Sequence, residues 1–107
     1  SIASDFGKVM GRLGSEALVR RFAMKFAGDP SFRQLKDALA AKDGETAFRA
    51  AHTLKGVCLN LGFDRLYEVS AAITEQLRGG DVTGCEELMA EVEKRYHEVL
   101  DAVSQIE

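Results

Sequence analysis

His52 is the residue of this chain whose surroundings best suit chemistry. If residues 47–61 form a helix with about 100° per residue, six apolar residues share one side of it: Ala47, Ala50, Leu54, Val57, Cys58 and Leu61. His52 then lies about 180° from the centre of that side and points to solvent. A neutral imidazole is a nucleophile at pH 7, so an exposed histidine could accept a covalent group from a partner.

The neighbours of His52 on the same helix face support this interpretation. Lys55, three residues later, is close enough to place positive charge beside a group attached to the ring. Arg49, three residues earlier, is a weaker candidate for the same task. Gly56 costs about 1 kcal/mol of helix stability relative to alanine. We therefore expect Gly56 to provide steric clearance for a partner that approaches the histidine closely.

Two large apolar side chains complete the exposed face around the histidine. Phe48 and Leu59 lie within about 40° of His52 on the helical wheel. We expect them to form the apolar centre of a docking patch, and Arg49 to be a third partner-binding residue. For Phe48 a second interpretation stays open, in which its ring turns from this boundary position toward the core.

The string H-T-L-K-G at residues 52–56 resembles the motif of histidine-containing phosphotransfer (HPt) domains. Two alanines precede it, and Gly62 follows six residues after the motif glycine. A helix start near Asp43 and the break at residues 79–81 before a long last helix also match the usual layout of these domains. The resemblance covers roughly residues 15–105.

The resemblance implies a phosphorelay carrier. His52 would accept a phosphoryl group and pass it to or from an aspartate of a response-regulator receiver domain, with a histidine kinase or hybrid kinase upstream. It also implies that Mg²⁺ belongs to the receiver, so we expect no cofactor and no metal in this chain. Because the sequence has no Gly-rich phosphate loop and no acidic metal-binding pattern, we expect no kinase activity of its own.

The composition fits a single globular domain spanning residues 1–107. The chain is 46% hydrophobic and 29% charged, which is ordinary for a protein that buries its own core. A net charge of -3 without a basic run argues against a nucleic-acid partner. No stretch approaches the ~20 apolar residues of a membrane span, and no signal-peptide pattern is present. Cys58 and Cys85 lack the spacing of a metal-binding or redox pair, so we expect reduced thiols and a cytoplasmic location. We also expect a monomer.

Apolar residues recur at helical spacing along the chain, and no segment alternates as a strand would. We therefore expect an all-α fold, an antiparallel up-and-down four-helix bundle with a short additional N-terminal helix near residues 5–12. The later helices are predicted near residues 15–27, 30–42, 43–62 and 64–78, and from residue 83 to about 105.

Helix starts and inward faces follow from the same pattern. Ser15, Asp29 and Asp43 are predicted N-caps, and Thr83 with Glu86 is predicted to form a capping box. The residues expected to face inward, besides those of the His52 helix, are Leu18, Val19, Phe22, Phe26, Phe32, Leu35, Leu39, Leu66, Val69, Ile73, Leu77, Leu88, Val92, Tyr96, Val99 and Val103.

Other classes of protein share parts of this pattern. A histidine-kinase dimerisation domain carries an acidic residue directly after its histidine, but Thr53 stands here. A metal-binding bundle needs a glutamate three residues before an inward histidine, and Arg49 and Lys94 occupy those places. The charged neighbours of His97 indicate a solvated surface residue. A helical scaffold or adaptor without chemistry remains as the alternative function.

Overall fold

A computed structural model of the protein describes residues 16–105, and all regular structure within that range is helical. The helices are α1 (Glu16–Gly28), α2 (Ser31–Ala40), α3 (Gly44–Leu61), α4 (Asp64–Gln76) and α5 (Glu86–Ser104). The all-helical prediction is thus confirmed, while the helix expected near residues 5–12, like Ser15, lies outside the described residues. None of these five helices is long and apolar enough to span a membrane.

The helices form a bundle around one apolar core. α3 packs against α2 and α4, α4 also packs against α5, and α5 contacts α1. Every helix contributes large side chains that are removed from solvent, among them Phe26, Leu35, Leu54, Leu66, Ile73, Val92 and Val99. Each such burial stabilises the fold by about 1.5–3 kcal/mol, so packing of these faces outweighs the surface interactions described below.

The cap of α3 follows the sequence prediction, whereas at α2 the predicted cap Asp29 lies one residue before the observed N-cap, Pro30. The Asp29 carboxylate accepts a hydrogen bond from the Ser31 backbone N–H at 2.9 Å, with Pro30 between them. The Asp43 carboxylate accepts from the Thr46 backbone N–H at 3.2 Å, and hydrogen bonds from Thr46 lower the pKa of Asp43. These caps fix where each helix begins, and therefore which residues of α3 face solvent.

The helix ends depart from the prediction at two places. α2 ends at Ala40 instead of continuing to Lys42, which adopts a left-handed φ of 57°. α4 ends at Gln76, and the chain then makes a turn in which the Gly80 N–H donates to the Leu77 carbonyl at 2.8 Å. α3 ends as predicted at Gly62, whose φ of 75° suits glycine.

The predicted capping box before the last helix is wrong. α5 begins at Glu86, and Thr83 lies in the preceding loop. The Thr83 carbonyl accepts a hydrogen bond from Gln76 Nε2 at 3.1 Å, and its N–H donates to the Asp81 carboxylate at 2.9 Å. Gly84 then reverses the chain with a φ of 78°. Contacts to α4 thus hold Thr83 away from the N-terminus of α5.

The predicted core is largely the observed one. The inward residues named above are buried or half-buried wherever their side chains are described; those of Leu18 and Val19 lie outside the described part. On α3, Val57 is only half-buried, whereas Ala51, which was not predicted, is fully buried. The core of α4 also includes Ser70 and Thr74, two polar residues that hydrophobic spacing does not detect.

Both cysteines are free and buried, which predicts low reactivity. Burial raises the pKa of the Cys58 thiol to about 12, and the neighbouring Ser70 hydroxyl opposes this only in part. Burial also raises the pKa of Cys85. Because the thiolate is the reacting form, we expect neither cysteine to react with a thiol reagent at pH 8 before the protein unfolds. Rapid native-state modification of Cys58, followed by absorbance, would contradict this burial.

Candidate functional site

The structure places His52 in the middle of α3, on its exposed face. The flanking residues Ala51 and Leu54 are fully buried, so they fix the rotation of the helix about its axis. The imidazole therefore projects away from the core, where another protein can reach it. In the described part of the chain its one aromatic neighbour is Phe48, with 6.2 Å between the ring centroids.

Gly56 lies one turn after His52, and the space beside it is open. A Cβ built at Gly56 would meet no atom within 4 Å. Packing within the described part of the chain therefore does not require a glycine, although glycine costs about 1 kcal/mol in a helix interior. The open space adjoins the histidine, where a docking partner would approach.

Lys55 lies three residues after His52 on α3 and is the cation expected to stabilise a group on the histidine. Its ammonium forms no hydrogen bond or ion pair with any residue in the range 16–105, so no partner holds it away from the histidine. Its charge acts on Glu75: a hydrogen bond from Arg78 lowers the pKa of this carboxyl, and the charge of Lys55 lowers it further. The unpaired ammonium can therefore turn to an incoming anion.

Arg49 has a partner in the resting structure. Its Nη1 lies 2.6 Å from Glu45 Oε1, one turn earlier on α3, and both side chains are well exposed. Exposed pairs of this kind contribute little stability, so a stronger anion could displace Glu45. Arg49 thus differs from Lys55 in having an ion-pair partner among the described residues.

The apolar flank consists of one exposed and one half-buried side chain. Leu59 is 63% exposed. Among the described residues, Leu59 and Met24 on α1 are the two large hydrophobic side chains that are exposed. Phe48 is half-buried and packs against the core, as the second interpretation of this residue has it. Its ring still borders His52. We call the six residues Phe48, Arg49, His52, Lys55, Gly56 and Leu59 the His52 surface.

Two residues of α4 and its following turn adjoin this surface, and sequence reasoning missed both. The Arg78 guanidinium carbon lies 5.2 Å from the centre of the Phe48 ring. Glu75 accepts two hydrogen bonds from Arg78, from Nε at 3.1 Å and from Nη2 at 2.6 Å. The short connection between α3 and α4 could have indicated this contact. Two helices joined by a short loop run antiparallel, so residues equally far before and after Gly62 in the chain lie opposite each other.

His97 differs from His52 in its surroundings. It is exposed on α5, and its Nε2 lies 3.9 Å from Glu93 Oε1. Its ring also approaches Phe32 edge-on, with centroids 6.2 Å apart. No glycine lies beside it on α5, and its carboxylate neighbour would repel a phosphoryl group. The His97 surroundings therefore suit a solvated surface residue, as expected.

The His52 surface offers a nucleophile, a cation that pairs with none of residues 16–105, open space and an apolar flank. Within residues 16–105, no group of three or more His, Cys, Asp or Glu side chains could hold a metal ion. A nucleophile with positive charge nearby and open access is an arrangement that suits transfer of an anionic group.

The chain was compared with known families, proteins and structures. A family model of the Hpt domain matches residues 28–106, which include α2 to α5 and the whole His52 surface. Neither a curated protein nor a solved structure matches the chain. Hpt domains are phosphocarriers rather than catalysts, and they act in phosphorelays with two-component kinases and response regulators. Because the match spans most of its length, the chain belongs to the Hpt domain family.

Proposed function

We propose that this protein is a phosphorelay carrier in which His52 accepts a phosphoryl group from, or returns it to, an aspartate of a response-regulator receiver domain. One observation carries the proposal: an exposed histidine, a lysine without a partner among residues 16–105 and an open glycine share one helix face in a chain of the Hpt family. The step needs an accessible imidazole, and α3 presents one.

The transfer itself requires little from this chain. A lone pair of the His52 imidazole forms the P–N bond while the P–O bond to the receiver aspartate breaks, and the electron pair stays on the carboxylate. The ring then gives up one proton to solvent, and the reverse step takes one back. Lys55 offsets the charge of the phosphoryl oxygens on the histidine. Mg²⁺ is expected on the receiver, and this chain would use no cofactor or metal of its own.

The proposal extends to the domain organisation, the oligomeric state and the partners of the protein. We propose that residues 1–107 form a single domain with a short N-terminal helix, in which four of the five helices at about residues 15–105 form an antiparallel up-and-down bundle. The protein would act as a monomer, without nucleic acid or membrane as partner. A histidine kinase or hybrid kinase would act upstream. A cytoplasmic location stays a prediction.

Phosphoryl transfer from a receiver tests this proposal. A receiver domain is phosphorylated with labelled acetyl phosphate and Mg²⁺, separated from excess reagent and mixed with the protein. We expect acid-labile, alkali-stable label to enter the protein, as phosphohistidine chemistry requires. ATP alone should leave the protein unlabelled, because Hpt domains carry phosphoryl groups but do not transfer them from ATP. If no receiver of a broad panel labels the protein, the adaptor alternative is favoured instead.

Substitutions of Lys55 and Leu59 should impair different steps, the first phosphoryl transfer and the second receiver binding. Lys55→Ala removes charge beside the phosphoryl group, so we expect slower transfer and a shorter phosphohistidine lifetime, with a smaller effect on binding of an unphosphorylated receiver. Leu59→Ala removes apolar contact area, so it should weaken receiver binding by roughly 1–2 kcal/mol and leave the lifetime unchanged. Phe48→Ala should weaken binding similarly, but it also removes core contacts.

Titration calorimetry and a dephosphorylation time course separate the two roles. Met24→Ala is the matched control for Leu59→Ala, because Met24 is 73% exposed on α1 and outside the His52 surface. It should bind the receiver as the wild type does. If Lys55→Ala weakened binding as much as Leu59→Ala and left the lifetime unaltered, Lys55 would be a docking residue and its assigned role would be wrong.

A further inference from the structure

The Arg78 side chain contacts two partners although it is exposed. Its guanidinium stacks over Phe48 at 5.2 Å and forms two hydrogen bonds with Glu75. The side chain is still 58% exposed. An aromatic face on one side and a carboxylate on the edge together restrict the rotamers that arginine otherwise samples in water.

The backbone beneath Arg78 is fixed as well. Leu77, the preceding residue, is fully buried. The Gly80 N–H donates to the Leu77 carbonyl at 2.8 Å, and the Gly80 carbonyl packs directly on Gly44, where no Cβ would fit. The turn that carries Arg78 is therefore attached to the first residue of α3, the helix that carries His52.

One edge of the guanidinium is left for a partner. Glu75 occupies Nε and Nη2, whereas Nη1 has no hydrogen-bond acceptor in the described part of the chain. Arginine has five N–H donors in a planar fork that matches carboxylate and phosphoryl oxygens. A pre-positioned arginine loses little entropy when it binds, and arginine is enriched among the residues that dominate binding energy.

We propose that Arg78 is a receiver-docking residue, positioned by Glu75 and Phe48, and that it extends the His52 surface onto the turn after α4. This inference rests on the proposed function, because the partner is the receiver domain that exchanges a phosphoryl group with His52. Such a partner brings an anionic acceptor site to the surface, which complements the free guanidinium edge. Phe48 links the two parts, since its ring borders both His52 and Arg78.

Binding of a receiver that labels the wild-type protein tests this inference. Arg78→Ala should weaken that binding about fivefold to tenfold and reduce its dependence on ionic strength. Arg78→Lys keeps the charge but not the planar fork, so it should recover only part of the loss. Lys36→Ala is the charge-matched control, because Lys36 forms a similar exposed pair with Glu93 at 2.8 Å between α2 and α5.

The outcomes separate this inference from the proposed function. Lys36→Ala should bind within twofold of the wild type, and urea unfolding should show that all variants are folded. If Arg78→Ala binds the receiver as tightly as Lys36→Ala, with the same salt dependence, the docking role of Arg78 is wrong while His52 still takes label. If Arg78→Lys binds fully, charge alone matters and the positioning by Glu75 and Phe48 is wrong. Wild-type protein that takes no label overturns the proposed function itself.

Discussion

Replacing His52 with glutamine should abolish phosphoryl uptake from a phosphorylated receiver. Glutamine has no nucleophilic nitrogen that could form the P–N bond, so the loss should be complete. His52 is exposed and contributes nothing to the core, so helical content and thermal stability should stay unchanged. The measurements are label incorporation over time and circular dichroism during heating.

His97→Gln is the matched control for this substitution. His97 is the other histidine of the chain, and it is also exposed on a helix. We expect this variant to take up label at the wild-type rate. Label that survives in the His52 variant, or that disappears with His97, would show that the acceptor has been assigned to the wrong residue.

Alanine at the two glycines of α3 should change stability in opposite directions. At Gly44, a Cβ would overlap the backbone of Gly80, which cannot move aside as a flexible side chain can. Gly44→Ala should therefore lower the free energy of unfolding by about 1–3 kcal/mol, the usual cost of overpacking. At Gly56 the Cβ meets open space, so Gly56→Ala should raise the free energy of unfolding by up to ~1 kcal/mol.

The Gly56 variant also tests the docking role of this residue. If the glycine clears space for the receiver, Gly56→Ala should slow phosphotransfer although the domain itself is more stable. Urea unfolding and transfer kinetics on the same preparation provide both numbers. A Gly56 variant that is more stable and equally fast would show that the glycine has no docking role. A Gly44 variant as stable as the wild type would contradict the close approach to Gly80.

The helix that carries the site could be predicted because all of its signals are local. Asp43 supplies the cap, Gly62 the left-handed end, and the residues between them carry a clear apolar stripe. The exposure of His52 follows directly from that stripe. Ala51 escaped prediction because it lies at the edge of this stripe on the helical wheel, although close packing in the bundle buries it fully.

What sequence reasoning missed is set by contacts between helices. The backbone of Thr83 bonds to Gln76 instead of starting α5, and no local pattern announces this. Because threonine is polar, the sequence pattern places Thr74 on the surface. In the structure Thr74 is buried, and its hydroxyl donates a hydrogen bond to the Ser70 carbonyl at 2.6 Å. Arg78 reaches the His52 surface only because α4 folds back along α3 and brings it over Phe48.

Locating the phosphoryl group on the wild-type protein tests the central claim most directly. The protein is labelled by a phosphorylated receiver, digested under neutral or alkaline conditions that preserve phosphohistidine, and sequenced by tandem mass spectrometry. We expect a single phosphoryl group, on His52. A phosphoryl group found on His97 or on any other residue, or no phosphoryl group at all after exposure to receivers, would contradict it.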